Sequence, residues 1–143
     1  MTWKNRINLP HLGDNVPRTN RPILRLIGKT YLRLARWHFE GELPNVPKLV
    51  GIGAPHTAAG EVFLAIAAFW ALDLDVQWLA KDSLFRWPLV TLMRWARAFP
   101  VDRSKSGGLV SQAIEQFATR EQLYLLLAPE GTRKKVDKWK RGF

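Results

Sequence analysis

The chain has 143 residues, a formal net charge of +10 and no cysteine. This length suits one domain with a hydrophobic core of its own, and a hydrophobic content of 47% argues against a disordered chain. The missing cysteines exclude disulfides, thiolate metal ligands and a cysteine nucleophile, while the basic excess favours an anionic partner such as nucleic acid, a membrane or a phosphorylated substrate.

Residues 1–21 are polar and rich in turn-forming residues, and they lack the apolar segment of a signal peptide. We interpret them as an N-terminal arm with little structure of its own, followed by one folded domain over residues 22–143. The longest apolar run, residues 62–72, is about half the ~20 residues that a membrane-spanning helix needs. We therefore expect no membrane-spanning segment.

The segment PILRLIGKTYLRLARWHF, residues 22–39, predicts an amphipathic helix with proline in its first turn. Its basic residues recur at helical spacing and would share one face: Arg25, Lys29, Arg33 and Arg36. In one interpretation the helix packs on the core with this basic face toward water. In the other it lies on an anionic lipid surface with its aromatic residues at headgroup level.

Apolar runs alternate with helical patterns through the rest of the chain. Four strands are predicted at 48–53, 76–81, 98–101 and 122–129, the first of them buried, and helices at 58–72, 85–98 and 109–120. This alternation predicts an α/β fold with a mainly parallel sheet flanked by helices. Polar clusters at 56–61, 102–104 and 130–133 follow three of the strands, so we expect them at one edge of the sheet.

The first cluster, HTAAGE, contains His56 and Glu61. In a regular helix, five residues turn the chain by about 500°, which leaves the two side chains roughly 140° apart. If His56 instead lies in the loop and the helix starts near Ala58, the carboxylate can orient the imidazole and leave one ring nitrogen free as a general base. The alternative is a histidine that only caps the helix or has no role.

The other two clusters suit anion binding. Arg103 precedes SKSGG, whose glycines can bring backbone N–H groups toward a phosphate near a helix start. In LAPEGTRK, Arg133 offers a planar fork for phosphate or carboxylate, and Gly131 permits a tight turn. A plain solvated turn is the alternative at both places. The chain has no GxxxxGK[ST], HExxH or GxSxG motif, so neither a metal centre nor a covalent serine is supported.

The order of these clusters resembles the glycerolipid acyltransferases related to the 1-acylglycerol-3-phosphate acyltransferases. HTAAGE is similar to the family's motif of His, four residues and Asp, FPVDRS to its second motif and PEGTR to its third, and KDSLFRWP is similar to the segment between the first two. The resemblance covers residues 49–143. It implies the following site: His56 as base, Glu61 as its orienting acid, Arg103 on the acceptor's phosphate, and Glu130, Gly131 and Arg133 completing the acceptor site.

The resemblance also implies the partners. The donor would be an acyl thioester of coenzyme A or acyl carrier protein, and the acceptor a glycerol phosphate or lysophospholipid. No metal or other cofactor and no nucleic acid are expected, and the protein would lie peripherally on the cytoplasmic face of an anionic membrane. An acyl-enzyme intermediate is not expected, in agreement with the absence of Cys and GxSxG.

Two departures from the family pattern leave alternatives open. Glu61 stands where the family has Asp, and the chain ends at WKRGF where the family normally continues through further strands and a fourth motif, so we expect a truncated domain with apolar surface exposed or covered by a partner. A family member that has lost catalysis is the first alternative. A nucleic-acid-binding module that combines basic charge with aromatic stacking is the second.

Overall fold

Four parallel strands form one sheet in a computed structural model that describes residues 7–54, 60–101 and 108–128, with the backbone alone at 60–62, 81, 84, 92 and 108–109. The strands are β1 Lys48–Ile52, β2 Val76–Lys81, β3 Ala98–Val101 and β4 Leu123–Leu127. The described helices are α1 Pro22–Leu34, α2 Gly60–Ala71, α3 Val90–Trp95 and α4 Gly108–Thr119, with a 3₁₀ turn at Asp82–Phe85. The strand order is β1-β4-β2-β3. The predicted parallel α/β fold with an N-terminal helix is confirmed.

Contacts within the chain divide it into two compact units. Unit 1 contains residues 1–46 and 58–75 and holds α1 and α2. Unit 2 contains residues 47–57 and 76–143 and holds the whole sheet together with α3 and α4. The predicted division into an arm and one α/β domain stays a prediction.

Gly28 allows α1 to lie very close to α2 in unit 1. A Cβ atom built on Gly28 would stand 2.5 Å from the carbonyl oxygen of Ala67 and 2.6 Å from the backbone nitrogen of Ala71. Leu32, one turn further along α1, is buried together with Ala67 and Ala71. The buried face of α1 is therefore a narrow line through Gly28 and Leu32. Glycine is needed at the crossing because a Cβ atom there would push the two backbones apart.

The N-terminal arm is held against the end of α2. Val16 is buried, the Thr19 hydroxyl donates a hydrogen bond of 2.6 Å to the Asp73 carboxylate, and the backbone N–H of Asp75 donates to the carbonyl of Pro17 at 3.0 Å. These hydrogen bonds join the arm to residues at the end of α2, far from it in sequence. The described part of the arm therefore has a fixed conformation, although it forms no helix or strand of its own.

Three helices are followed by a residue with positive φ that is not glycine: Arg36 after α1, Asp73 after α2 and Arg97 after α3, at 59°, 58° and 61°. After α1, the N–H of Trp37 donates to the carbonyl of Leu32 at 2.9 Å and the N–H of Arg36 to that of Arg33 at 3.2 Å. These are the two hydrogen bonds of a Schellman motif, which terminates a helix. The predicted helix over 22–39 therefore stops at Leu34, and Arg36 lies beyond it.

The sheet of unit 2 is buried at its centre and open at one edge. The β4 residues Leu123, Tyr124 and Leu125 are each no more than 3% exposed, whereas Val50 and Ile52 of β1 are 48% and 55% exposed. β1 pairs with β4 on one side only, so it is an edge strand. The prediction of a buried first strand is therefore wrong, because β4 rather than β1 takes a central place in the sheet.

Candidate active site

β1 and β4 end side by side at the carboxyl edge of the sheet. Ile52 is paired in register with Leu127, and the backbone N–H of Gly53 donates to the carbonyl of Leu127 at 2.8 Å. Neighbouring strands lie about 4.8 Å apart. His56 follows Ile52 by four positions and Glu130 follows Leu127 by three. The segments that carry these two residues therefore start from adjacent points of the sheet.

β3 ends at the same edge and extends further. The pairings align Ala98 with Trp78 of β2, and Trp78 with Leu126 of β4. Val101, the last residue of β3, therefore ends about 7 Å beyond the level of Leu127. With β2 between them, β3 and β4 are about 10 Å apart. The segment with Arg103 starts directly after Val101, so all three polar clusters are attached to one edge of one parallel sheet.

The predicted site residues themselves fall outside what the structure describes. No side-chain position is described for any of them: His56, Glu61, Arg103, Glu130, Gly131 and Arg133. The backbone of Glu61 is described as the second residue of α2, and α2 starts at Gly60, four positions after His56. Glu61 thus occupies the first turn of the helix, as the sequence predicted, while the pairing of Glu61 with His56 and the role of each residue stay predictions.

Tyr124 is the one described group in the sheet whose ionisation is perturbed. Burial raises the pKa of Tyr124 above its ordinary value of 10.0, and the residue is 2% exposed. It stands three residues before Leu127 in β4, about 10 Å from the carboxyl edge. Tyr124 is therefore a neutral phenol of the core rather than an acid or base of the site. Within the described ranges, no group of three His, Asp or Glu residues is placed to hold a metal ion.

A second candidate surface lies on α1. Five large apolar side chains of this helix are between 44% and 79% exposed, and we call them the apolar stripe: Ile23, Leu26, Ile27, Tyr31 and Leu34. On a regular helix the apolar stripe spans an arc of about 140°. Next to Leu26 lies the row of Arg25, Lys29 and Arg33, and next to Tyr31 lies the buried line through Gly28 and Leu32.

The interpretation of α1 as a core-packing helix with only its basic face toward water did not predict these exposed apolar residues, whereas a helix on a lipid surface would present them outward. The signal was present in the spacing, because two apolar sets with the helical period occur in the same segment and only one of them can pack on α2. No described helix is long and apolar enough to cross a bilayer. The apolar stripe is thus a surface feature of a short helix.

Comparison with known proteins gives one match. A family model described as Acyltransferase matches residues 50–143, a range that includes all six predicted site residues and strands β2 to β4. No curated protein and no solved structure matches the chain.

Proposed function

The chain belongs to the acyltransferase family, and from this premise we propose that it transfers a fatty acyl group from an acyl thioester to a hydroxyl of a glycerol phosphate or lysophospholipid. One observation carries the proposal. The three polar clusters of the matched range follow β1, β3 and β4, and these strands end at one edge of a single parallel sheet. Catalytic and binding groups of such sheets collect at this edge.

His56 is the general base in the proposed reaction. Its imidazole removes the proton from the acceptor hydroxyl while the oxygen attacks the thioester carbonyl, which forms a tetrahedral intermediate. The intermediate collapses, the carbon–sulfur bond breaks, and the imidazolium returns the proton to the leaving thiolate. The products are the ester and a free thiol, so the base is regenerated without an acyl-enzyme.

Glu61 orients this base in the proposal. A carboxylate that accepts a hydrogen bond from one ring nitrogen fixes the tautomer in which the other nitrogen can take a proton. Glutamate has one more rotatable bond than aspartate, and fixing that bond costs conformational entropy. We therefore expect Glu61→Asp to retain or raise the rate of acyl transfer, provided that the shorter side chain still reaches the imidazole.

The second and third clusters bind the acceptor. Arg103 pairs with the phosphate of the acceptor, and Arg133 with Glu130 and the Gly131 turn completes this site. A guanidinium donates paired N–H bonds to phosphate oxygens, which fixes orientation as well as charge. In the proposal, Arg103 after β3 and Arg133 after β4 therefore set the position of the acceptor relative to His56.

The membrane contact of the proposal rests on α1. Its apolar stripe lies beside a row of three basic residues, and α1 has no acidic residue. Such a helix buries its apolar side at the boundary of headgroups and acyl chains, while basic residues meet anionic lipids. We therefore propose that the protein lies on the cytoplasmic face of an anionic membrane. Its donor is an acyl thioester of coenzyme A or of acyl carrier protein.

Thiol release tests the transfer directly. The chain has no cysteine, so a thiol reagent reports only the thiol freed from the donor. We expect release that requires an acceptor with both a hydroxyl and a phosphate, and little release with the acceptor lacking phosphate. If the folded protein releases thiol only after Glu61→Asp, the natural chain has lost catalysis at this position; if neither form does, acyl transfer is the wrong activity.

A further inference from the structure

A segment rich in arginine and tryptophan leaves the sheet at the carboxyl end of β2. β2 ends at Lys81, and the 3₁₀ turn Asp82–Phe85 joins it to Arg86. A 3₁₀ turn of four residues rises about 8 Å. Lys81 is paired in register with Val101 of β3, so Arg86 starts within about this distance of the level at which β2 and β3 end.

This segment presents large apolar side chains and guanidinium groups to solvent. Trp87 is 89% exposed, Trp95 51% and Leu89 43%, and Arg86 and Arg94 are also exposed. We call these five residues the rim surface. The residues from 83 to 101 include no Asp or Glu, and Asp82 at the start of the 3₁₀ turn is the one acidic residue of the segment, so the two arginines of the rim surface are in excess.

The exposed residues are close together in the chain, all between Arg86 and Trp95. The N–H of Val90 donates to the carbonyl of Arg86, and the N–H of Met93 to that of Leu89, each at 2.9 Å. Both bonds span four residues, so the segment is wound rather than extended. α3 itself is about 9 Å long, so Leu89, directly before it, and Arg94 and Trp95, at its end, are separated by about one and a half helical turns.

Trp87 contributes little to the fold of unit 2. A tryptophan that stabilises a fold is at least half-buried and has a partner for its indole N–H, as Trp78 shows by donating to the carbonyl of Ala96 at 2.8 Å. Trp87, in contrast, leaves almost its whole ring in water. Exposure of an aromatic ring beside arginines is typical of a contact surface for the boundary between lipid and water.

We propose that the rim surface contacts the headgroup layer of an anionic phospholipid bilayer and holds the carboxyl edge of the sheet at the membrane, an inference that rests on the proposed lipid acceptor. The indole rings lie at the level of the headgroups, Leu89 reaches toward the acyl chains, and Arg86 and Arg94 bind phosphates. The acceptor then reaches the site from the bilayer rather than from bulk water.

Two other occupants fit less well. A second copy of the chain would place Arg86 and Arg94 against the same arginines, and like charges repel. A single-stranded nucleic acid would stack on Trp87 and Trp95, but the aliphatic Leu89 gains nothing from a base. An anionic bilayer satisfies the arginines, the indoles and the aliphatic side chain together.

A fluorescent label tests this contact in the full chain. Because the chain has no cysteine, Leu89→Cys provides a single attachment point for an environment-sensitive fluorophore, and Ile114→Cys, 62% exposed on α4, provides the matched control. Vesicles of phosphatidylcholine with phosphatidylglycerol should shift the emission of the label at 89 to the blue and protect it from an aqueous quencher. The label at 114 should stay in water.

Binding of variants gives the energetic test. Each basic residue near an anionic surface contributes ~1 kcal/mol, so Arg86→Gln with Arg94→Gln should weaken vesicle binding about 30-fold at low salt. Trp87→Ser should weaken binding on the order of tenfold without lowering stability, since the ring is exposed. Ile114→Ser should change binding less than twofold, roughly the scatter expected at a neutral surface position.

The outcomes separate this inference from the proposed function. A blue-shifted label at 89, with no release of thiol from the donor in the presence of any acceptor, supports the contact and contradicts the acyl transfer. Acyl transfer to a vesicle-borne acceptor with the label at 89 still in water overturns the contact, as does a protein that does not bind vesicles. A response of the label to oligodeoxythymidylate but not to vesicles also overturns it, in favour of nucleic acid.

Discussion

Replacement of Gly28 by alanine tests the close crossing of α1 and α2. The new methyl carbon would lie 2.5 Å from the Ala67 carbonyl oxygen, 2.6 Å from the Ala71 nitrogen and 2.9 Å from the Cβ of Trp70. Two of these neighbours are backbone atoms, so no side-chain rotation relieves the contact. The helices must separate by about 1 Å to restore ordinary van der Waals distances near 3.5 Å.

The sign of the effect follows from two opposing contributions. Alanine in place of glycine stabilises a helix interior by about 1 kcal/mol. Overpacking in a well-packed core costs about 1–3 kcal/mol, and separation of the helices also opens the contacts of Leu32 with Ala67 and Ala71. We expect Gly28→Ala to lower the free energy of unfolding by about 1–2 kcal/mol.

Urea denaturation followed by tryptophan fluorescence measures this difference. Thr30→Ala is the control on the same helix, because Thr30 is exposed and its hydroxyl bonds only to the carbonyl of Leu26 in its own helix. The control should be neutral or stabilising by a few tenths of a kcal/mol. A Gly28→Ala protein as stable as the natural one, or more stable, would refute the close approach of the two backbones.

Three further predictions concern Arg36, Tyr124 and the apolar stripe. Arg36→Gly should raise the free energy of unfolding by about 0.5–1 kcal/mol, because a left-handed φ strains any residue with a Cβ; a loss of stability in urea denaturation would contradict the Schellman turn. Because burial raises the pKa of Tyr124, the stability contributed by its neutral phenol is present below pH 10.0 and is lost as the pH rises through the folded-state pKa. Above pH 10.0, Tyr124→Phe should therefore lose less stability than the natural chain. Equal pH dependence of the two proteins in thermal unfolding would count against the burial of this phenol. Leu26→Ser with Ile27→Ser should weaken binding to anionic vesicles, measured by co-sedimentation, at least tenfold. Unchanged binding would show that α1 does not contact the membrane.

Local patterns were sufficient to predict most elements of the fold. The apolar runs at 76–81 and 98–101 are β2 and β3 with the predicted bounds, since such runs bounded by polar residues suit strands of a covered sheet. The position of β4 between β1 and β2 was not predictable in this way, because strand order depends on contacts between residues far apart in sequence. For the same reason the exposure of β1 was predicted wrongly.

The ends of α1 and α3 were missed for a different physical reason, whereas the end of α2 was predicted to within one residue. A helix that stops in a left-handed turn normally has glycine there, and the sequence has Arg36, Asp73 and Arg97 at the three positions. Of the predicted helix over 85–98, only the short α3 is α-helical, while Phe85 ends the 3₁₀ turn and Ala98 begins β3. These turns are compensated by contacts that no local pattern contains, such as the bond from the Thr19 hydroxyl to Asp73.

Prediction of the candidate site depended on order rather than on proximity in sequence. His56, Arg103 and Glu130 follow three strands, and parallel strands place their carboxyl ends together, so the shared edge could be predicted before the sheet was seen. The exposure of the rim surface could not be predicted with equal success. An apolar side chain has the same signature in sequence whether it packs on a neighbour or faces outward.

The rate of acceptor-dependent thiol release by His56→Ala tests the central claim most directly. The matched control is His38→Ala, which removes an exposed histidine whose Nε2 lies 2.9 Å from the Glu40 carboxylate. Loss of a general base should lower kcat/KM by about 100-fold to 10,000-fold in His56→Ala, with the fold intact by circular dichroism and with His38→Ala unchanged. A His56→Ala protein that transfers acyl groups at the natural rate would contradict the account.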